Sequence, residues 1–431
     1  MNEAERLEII ALMQREVVPA MGCTEPIAVA LCVARAAEIL GERPGNITVD
    51  LSANILKNAM GVGIPGTGMT GLPVAIALGA IIGKSSYRLE VLRDVTPEAV
   101  AEARSMIAEK RIEIRLKKGI TEKLYIEATL AAGGHTARVI IAGGHTSIVY
   151  EESDGASLLD RRSQVTEQTE GETVDLTLRK VWDFATTAPL SELRFILEAR
   201  RLNKSIAEQS FAGHFGHAVG RTLQSERQRS MMGDSPFSRI LSYTSAACDA
   251  RMAGAAIPVM SNSGSGNQGI AATLPVVVYA EEIFASEEQT TRALILSHLT
   301  VIYIKQSLGR LSALCGCVVA ATGSACGLCY LMGGDYERVA ATTKNMIANL
   351  TGMICDGAKP SCSMKVTSGV STAMISAMMA MEGHCVTSVE GIIDDDVDKS
   401  IHNLTSIGHD GMNETDRLIL KIMTEKQSVT P

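Results

Sequence analysis

Apolar residues recur along this chain with two different spacings, which predict helices in some stretches and strands in others. Residues 2–17 have the spacing of an amphipathic helix. A second helix is predicted over TEPIAVALCVARAAEILG, with Thr24 as its N-cap and Gly41 at its end. The following NITVDLSAN alternates apolar and polar residues, which is typical of a strand.

Between residues 86 and 165 strand-like alternation dominates. YRLEVLRDV predicts a strand, and TPEAVAEARSMIAEK predicts a helix capped by Thr96. Four further strands are predicted, over IEIRLKKG, KLYIEATLAAGG, HTARVIIAGG and HTSIVYEES. This part is therefore expected to be a compact β-rich unit.

The tetrapeptide GGHT occurs twice in this unit, at 133–136 and at 143–146. The ten-residue spacing fits successive hairpin strands that meet at glycine turns. A second interpretation is that His135 or His145 contacts a substrate.

From about residue 172 to the end the pattern is almost wholly helical. The sequence thus predicts an α+β protein, a mainly helical body that carries a smaller β-rich α/β lobe. The expected division is a helical N-terminal part of the body (1–85), the lobe (86–165) and a helical catalytic body (166–431).

Composition limits the classes of partner. The net charge is −8 and the sequence has no block of Lys and Arg, which argues against nucleic acid. Residues 1–20 lack the pattern of a signal peptide, so we expect a cytoplasmic protein. Apolar residues make up 46 % and aromatic residues only 3 %, so the helical body is expected to be built from small side chains. A body of this kind suits a homodimer.

Three stretches of more than 20 residues carry no charge, at roughly 59–83, 252–279 and 311–334. Each is interrupted by Gly together with Pro, Asn or Ser, so we do not expect a membrane partner. One interpretation is that these stretches are buried helices and loops, and a sharper one is that they are the walls of an active site.

Cysteine is unevenly distributed, because six of the ten cysteines fall between Cys315 and Cys362. Cytoplasmic cysteines stay reduced, so this clustering points to a metal or cluster site. Only Cys326 and Cys329 have the CxxC spacing that zinc prefers. Widely separated ligands such as Cys315, Cys355 and Cys362 suit an iron–sulphur cluster better. Zinc and purely structural cysteines remain alternatives.

The glycine-rich loop SNSGSGNQG, residues 261–269, predicts an anion site built from backbone N–H groups and hydroxyls. Pyridoxal-phosphate enzymes use a similar loop, but they need a nearby lysine and none lies between Lys204 and Lys305. We therefore predict a substrate-carboxylate loop without pyridoxal phosphate; a flexible turn is the alternative. The predicted substrate-binding residues are Ser261, Asn262, Ser263, Ser265, Asn267 and Gln268.

Other candidates carry less weight. His214 and His217 could pair on a metal, although surface or core histidines are the favoured explanation. The run Asp394 to Asp396 could bind a cation, but negative charge is also favourable where a helix begins. Cys23 lies just ahead of a predicted helix, as a reactive cysteine does, whereas Cys32 lies on the apolar face.

The motifs GCTEPIAVAL, SNSGSGNQG, LSALCGC and MICDGAKPSC together resemble the L-cysteine desulfidase family across essentially the full length. From about residue 170 the chain also resembles, more distantly, the alpha domain of iron–sulphur L-serine dehydratases.

The resemblance implies a [4Fe–4S] enzyme that converts L-cysteine to pyruvate, ammonia and sulfide without pyridoxal phosphate. It places the cluster ligands on Cys315, Cys355 and Cys362 and the catalytic base on Cys23. Cys317 is an alternative to Cys315.

The chemistry agrees with this resemblance. Three cysteine ligands leave one iron open to act as a Lewis acid on the substrate thiolate. The N-terminus of a helix is expected to lower the pKa of Cys23, and the 261–269 loop to hold the small amino-acid substrate by its carboxylate. Lys359 could neutralise charge near the cluster or lie on the surface. An L-serine dehydratase and a non-enzymatic iron–sulphur redox sensor are the competing hypotheses.

Overall fold

The computed structural model describes residues 1–120, 122–164, 174–309 and 311–426. It confirms an α+β protein in which helices predominate. The helices are α1 (Glu3–Glu16), α2 (Thr24–Leu40), α3 (Ala53–Ala59), α4 (Leu72–Ile82), α5 (Pro97–Ala108), α6 (Leu178–Thr187), α7 (Leu190–Leu193), α8 (Leu197–Ala212), α9 (Val219–Leu223), α10 (Glu226–Met232), α11 (Pro236–Met252), α12 (Gly266–Glu282), α13 (Glu287–Leu308), α14 (Gly316–Leu331), α15 (Tyr336–Leu350), α16 (Cys362–Met381), α17 (Val397–Ser406) and α18 (Asn413–Glu425). The strands are β1 (Pro19–Ala20), β2 (Asn46–Leu51), β3 (Gly63–Ile64), β4 (Met69–Thr70), β5 (Ile112–Leu116), β6 (Tyr125–Ala132), β7 (His135–Ala142), β8 (Ile148–Ser153), β9 (Ala156–Asp160) and β10 (Val259–Met260).

The lobe is built on a six-stranded sheet with the order β5-β2-β6-β7-β8-β9. The β2–β5 pair is parallel and the other pairs are antiparallel. Gly133 and Gly134 both have positive φ and form the two-residue turn between β6 and β7. The two GGHT segments therefore are hairpin connections, as their spacing predicts.

One predicted strand is absent from this sheet. YRLEVLRDV begins at Tyr87, inside the 3₁₀ helix Ser85–Glu90, in which Arg88 has a φ of 51°. Val91 and Leu92 are both buried although they are adjacent in sequence, which a half-buried strand does not allow. The alternation of this short segment was therefore a misleading signal.

Helices α2 and α4 pack against the sheet and share one apolar core with it. They approach closely, because a Cβ at Gly79 would lie 2.6 Å from the Ala30 carbonyl oxygen. Helices α2 and α4 therefore pack with the sheet of the lobe. The division at 85/86 stays a prediction, and the one at 165/166 lies outside the described residues.

The body has a separate core formed by α11 to α16, with α1 and α6 packed onto it. The three uncharged stretches form α4, α12 and α14 with their preceding loops, as expected for buried elements. Among the described residues, no helix combines the length and the apolarity that crossing a bilayer requires.

Within the described residues the lobe meets the body at several places, among them two polar connections. Strand β1 pairs with β10, and the backbone N–H of Ser261 donates to the Val18 carbonyl at 2.9 Å. This pairing brings the segment before Cys23 against the 261–269 loop. At the other connection α18 returns to the lobe, where Asp416 pairs with the buried Lys57 of α3.

Candidate active site

A cavity of about 140 Å³ lies between the lobe and the body. Cys23, Glu25, Asn58 and His145 line it from the lobe side. From the body side it is lined by residues of α11, of the loop before α12, and of the starts of α14 and α16. Segments far apart in the sequence therefore contribute to one site.

Four helices begin at this cavity. Cys23 is the N-cap of α2, Ser265 that of α12 and Cys315 that of α14, while Cys362 is the first residue of α16, and all four line the cavity. Helix N-termini carry partial positive charge and unpaired N–H groups. The cavity is therefore suited to negatively charged groups, whether thiolates or a carboxylate.

Cys23, rather than Thr24, is the N-cap residue of α2, and its side chain makes no capping hydrogen bond. The thiol is 4 % exposed and donates to Glu25 Oε2 at 2.9 Å. Burial and then the Glu25 charge raise the pKa of Cys23 well above its ordinary value, while Arg251 acts in the opposite direction. The expected low pKa of Cys23 is thus wrong for this arrangement, because burial and a carboxylate outweigh the helix end.

An isolated bridge between Leu314 and Ile354 brings two of the predicted ligands together. The Cys315 N–H donates to the Met353 carbonyl at 2.9 Å, and the Cys355 N–H to the Ala313 carbonyl at 2.7 Å. Cys362 completes the set at the start of α16, and all three cysteines line the cavity.

Burial and the neighbouring thiols raise the pKa values of two members of this set, Cys315 and Cys362. Burial and the neighbouring Cys355 raise the pKa of Cys315 to about 12. Burial is also the main cause that raises the pKa of Cys362. Several thiolates in such a place need a compensating positive charge.

Cys317 also lines the cavity, but its thiol is hydrogen-bonded to the backbone of α16. It donates to the Lys365 carbonyl at 3.1 Å, and its sulfur lies against Gly369 of α16, where a Cβ would stand 2.7 Å from it. The geometry therefore favours Cys315 as the ligand. Cys326 and Cys329 lie in the packed interior of α14, beside Thr343 and Met381, and line no part of this cavity.

Within the described ranges, no group of three or more His, Cys, Asp or Glu side chains is placed to hold a single metal ion. The ligands of a multinuclear cluster bind different iron atoms, so they stand farther apart than the ligands of one ion. The three soft thiols around this cavity are chemically suited to a multinuclear iron–sulphur cluster. The ligand set Cys315, Cys355 and Cys362 stays a prediction.

The 261–269 loop divides into an anchoring half and a half that faces the cavity. Ser261 donates its hydroxyl to the Val18 carbonyl at 2.6 Å, and Asn262 is fully buried. Neither is among the residues that line the cavity, whereas the other four predicted residues, Ser263, Ser265, Asn267 and Gln268, are. Sequence reasoning did not separate the two halves, because both carry the same residue types.

Asn262 is held by a buried histidine. Its amide donates to His298 Nδ1 at 3.0 Å and to the His298 carbonyl at 3.1 Å, while His298 Nε2 lies 2.9 Å from Thr273 Oγ1. Burial lowers the pKa of His298 to about 3. The loop thus rests on a neutral imidazole inside α13.

Three cations of the cavity were missed by sequence reasoning: Arg251, Lys305 and Lys365. Lys365 donates to the Ile354 carbonyl at 2.9 Å and pairs with Asp356, beside the cysteines. Lys359 pairs with the same carboxylate at 2.9 Å but does not line the cavity. Proximity in the sequence does not predict Lys305 and Lys365, because the fold brings them to the cavity from α13 and α16.

The histidine predictions have different outcomes. His145 lines the cavity, whereas His135 is exposed and bonded to Asp154 at 2.8 Å on the outer hairpin. His214 faces Arg221 at 2.9 Å and does not line the cavity.

Asp396 is the N-cap of α17 and accepts from the Asp398 N–H at 2.8 Å, which confirms the helix-capping interpretation.

Comparison with known proteins places this site in a family. Residues 86–421 match the family model described as serine dehydratase alpha chain. The chain therefore belongs to the serine dehydratase alpha chain family, and its function is of the dehydratase-type lyase class.

Similar proteins extend over the whole chain. A UPF0597 protein of Bacteroides fragilis is 70 % identical over 99 % of this chain and 100 % of its own length. UPF0597 proteins of Porphyromonas gingivalis and Aeromonas hydrophila are 57 % and 43 % identical, each over 99 % of this chain and over 100 % and 98 % of their own lengths. These names carry no activity, so the L-cysteine desulfidase resemblance stays a prediction.

Proposed function

We propose that this protein is an L-cysteine desulfidase, which eliminates sulfide from L-cysteine and yields pyruvate and ammonia. The observation that carries this proposal is the shared cavity: three thiols, a fourth cysteine beside a carboxylate, and a glycine-rich helix start all line it. A lyase needs a group for the leaving sulfur, a base and a carboxylate site in one place.

The three thiols Cys315, Cys355 and Cys362 would hold a [4Fe–4S] cluster, as the iron–sulphur dehydratases of this family do. Such a cluster, when bound, supplies a Lewis-acidic iron, and a sulfur leaving group is a soft ligand matched to iron. Lys365 supplies positive charge beside these thiols from α16.

The 263–268 segment would position the substrate carboxylate at the start of α12. Ser265 caps this helix and accepts from the Gln268 N–H at 3.4 Å, so the first turn is held with its N–H groups towards the cavity. Fixing the carboxylate there orients the α-proton.

Cys23 would accept that α-proton at its Sγ. The electrons of the Cα–H bond then form the Cα=Cβ bond while the Cβ–S bond breaks, giving sulfide and aminoacrylate. Aminoacrylate tautomerises to an imine, and water hydrolyses the imine to pyruvate and ammonia. Cys23 must be a thiolate for this step, which Arg251 favours and burial with Glu25 opposes.

L-Serine dehydration is the second candidate, and the family match favours it. It would use the same cavity with hydroxide in place of sulfide as the leaving group. A redox sensor would need only the cluster ligands, so it leaves unexplained why Cys23 and the 263–268 segment line the same cavity.

The two lyase functions are separated by purifying the protein anaerobically, reconstituting it with iron and sulfide, and desalting it. We expect sulfide and pyruvate in equal amounts from L-cysteine, at a higher kcat/KM than pyruvate from L-serine. Pyruvate from L-serine alone would establish the dehydratase, and no product from either would refute both. Cys385→Ser is a matched control, since Cys385 lies outside the cavity and donates to the Val386 carbonyl at 3.1 Å.

A further inference from the structure

Within the described residues, a buried guanidinium of the cavity has no acidic partner. Arg251, at the end of α11, is 4 % exposed. Its Nη1 donates to Asn267 Oδ1 at 3.0 Å and its Nη2 to the Gly22 carbonyl at 2.9 Å, while its Nε has no hydrogen-bond partner. Both bonded acceptors are neutral, so within the described residues the positive charge is not paired.

This arrangement differs from that of two other partly buried arginines, Arg292 and Arg35. Arg292 pairs with Glu288 at 2.9 Å, and Arg35 pairs with Glu151 at 2.7 Å. A buried charge without a counterion is costly, and such costs persist where a ligand completes the site. The planar guanidinium matches a carboxylate in shape and charge.

A carboxylate also lies beside Cys23. Glu25 accepts from Asn58 through Oε1 at 3.2 Å and from the Cys23 thiol through Oε2 at 2.9 Å. Both donors are neutral, and Glu25 lines the cavity. An ionised carboxylate has room for further donors, which an ammonium group provides.

These contacts place two opposite charges next to one cysteine. Arg251 holds the Gly22 carbonyl, one residue before Cys23, and Glu25 holds the Cys23 thiol itself. Arg251 is also bonded to Asn267 in the first turn of α12, where the substrate carboxylate is expected.

We propose that Arg251 binds the α-carboxylate and Glu25 the α-ammonium of a free α-amino acid, next to Cys23. This assignment rests on the proposed lyase function and adds two specificity-determining residues to it. Because Arg251 and Glu25 each bind one charge of the zwitterion, amines without a carboxylate and acids without an ammonium bind weakly. A peptide is rejected, because each terminal residue keeps only one of these charges and each internal residue keeps neither.

Three small ligands test this assignment without any turnover. L-Alanine carries both charges but no leaving group, ethylamine lacks the carboxylate, and propionate lacks the ammonium. Binding of each to the anaerobic, reconstituted full-length protein is measured by calorimetry. We expect L-alanine to bind at least about tenfold more tightly than either fragment.

Variants then assign each charge. Arg251→Gln should abolish the preference for L-alanine over ethylamine, with partial recovery in Arg251→Lys, and Glu25→Gln should abolish the preference over propionate. Arg200→Gln is the control, because Arg200 is paired with Glu281 at 3.0 Å outside this cavity, and it should bind L-alanine like the wild type.

The assignment is overturned if the fragments bind as tightly as L-alanine, if L-alanine does not bind, or if Arg251→Gln binds it unchanged. The comparison on the wild type decides even if a variant fails to fold. If L-alanine binds as expected while neither L-cysteine nor L-serine is converted, the proposed lyase function fails and the amino-acid site stands.

Discussion

The Cys23 thiol donates a hydrogen bond to the Glu25 carboxylate across 2.9 Å, and next to burial this carboxylate is the main group that opposes ionisation of the thiol. If Cys23 is the base, kcat/KM should rise with pH as the thiol loses its proton. Glu25→Gln removes the negative charge, so the pKa of Cys23 falls and the rising limb should move to lower pH. This shift is separate from the weaker substrate binding expected of the same variant.

Glu38→Gln is the matched control on the same helix, since Glu38 is bonded to Arg35 and Ser85 at the lobe surface. A pH profile is recorded for the wild type and both variants. An unchanged limb in Glu25→Gln would show that Cys23 is not the group that titrates.

The sequence predicted individual elements of this fold well where the signal is local. The period-two segments from residue 112 to 153 are strands, and Thr96 caps its helix. The packing of α2 and α4 against the sheet could not be predicted locally, because both helices are apolar around most of their surfaces and fit either core.

The same limit applies to the site. Cys23 and the three predicted ligands stood out through their motifs, and the fold places all four around one cavity. Arg251 and Glu25 carry no such signal, because isolated charged residues are common in helices. The pKa of Cys23 is raised rather than lowered mainly because the residue is buried. The sequence of one segment does not reveal this burial.

The ligand choice between Cys315 and Cys317 gives a second test. Because the Cys317 thiol is bonded to the Lys365 carbonyl, Cys317→Ser should keep its iron, about four per chain as in the wild type. Cys315→Ser should lose iron and the cluster absorbance. The reverse result would exchange the two roles and contradict the geometric assignment.

The neutral His298 predicts acid sensitivity of the loop that it supports. Its pKa is about 3 in the folded protein and near 6.5 when exposed, so the unfolded state binds a proton first as the pH falls. Stability from this group is complete above about pH 6.5 and is lost progressively below it; linkage gives about 1.4 kcal/mol between about pH 7.5 and about pH 5.5.

His298→Gln should reduce this component of the pH dependence while lowering stability at neutral pH, because the bonds to Asn262 and Thr273 change. Denaturant unfolding at several pH values measures both effects. His384→Gln is the control, since His384 is exposed. An equal pH dependence in wild type and His298→Gln would contradict the buried neutral imidazole.

The presence of Lys305 and Lys365 at the cavity makes the pyridoxal-phosphate question experimental. We predict that borohydride treatment leaves activity intact and produces no absorbance of a reduced pyridoxyl-lysine. If that absorbance appears, the peptide that carries it identifies which lysine formed the Schiff base, and the cluster-based account is wrong.

The central claim separates two kinds of cysteine in one cavity: ligands of a cluster and a base for the α-proton. It is tested most directly by measuring iron content and L-cysteine turnover on the same anaerobic samples of wild type, Cys23→Ser and Cys355→Ser. Cys23→Ser should keep its iron and lose turnover roughly a hundredfold or more, together with exchange of the α-proton with deuterated solvent. Cys355→Ser should lose both iron and turnover. Loss of iron in Cys23→Ser, or full turnover without Cys23, would contradict this account.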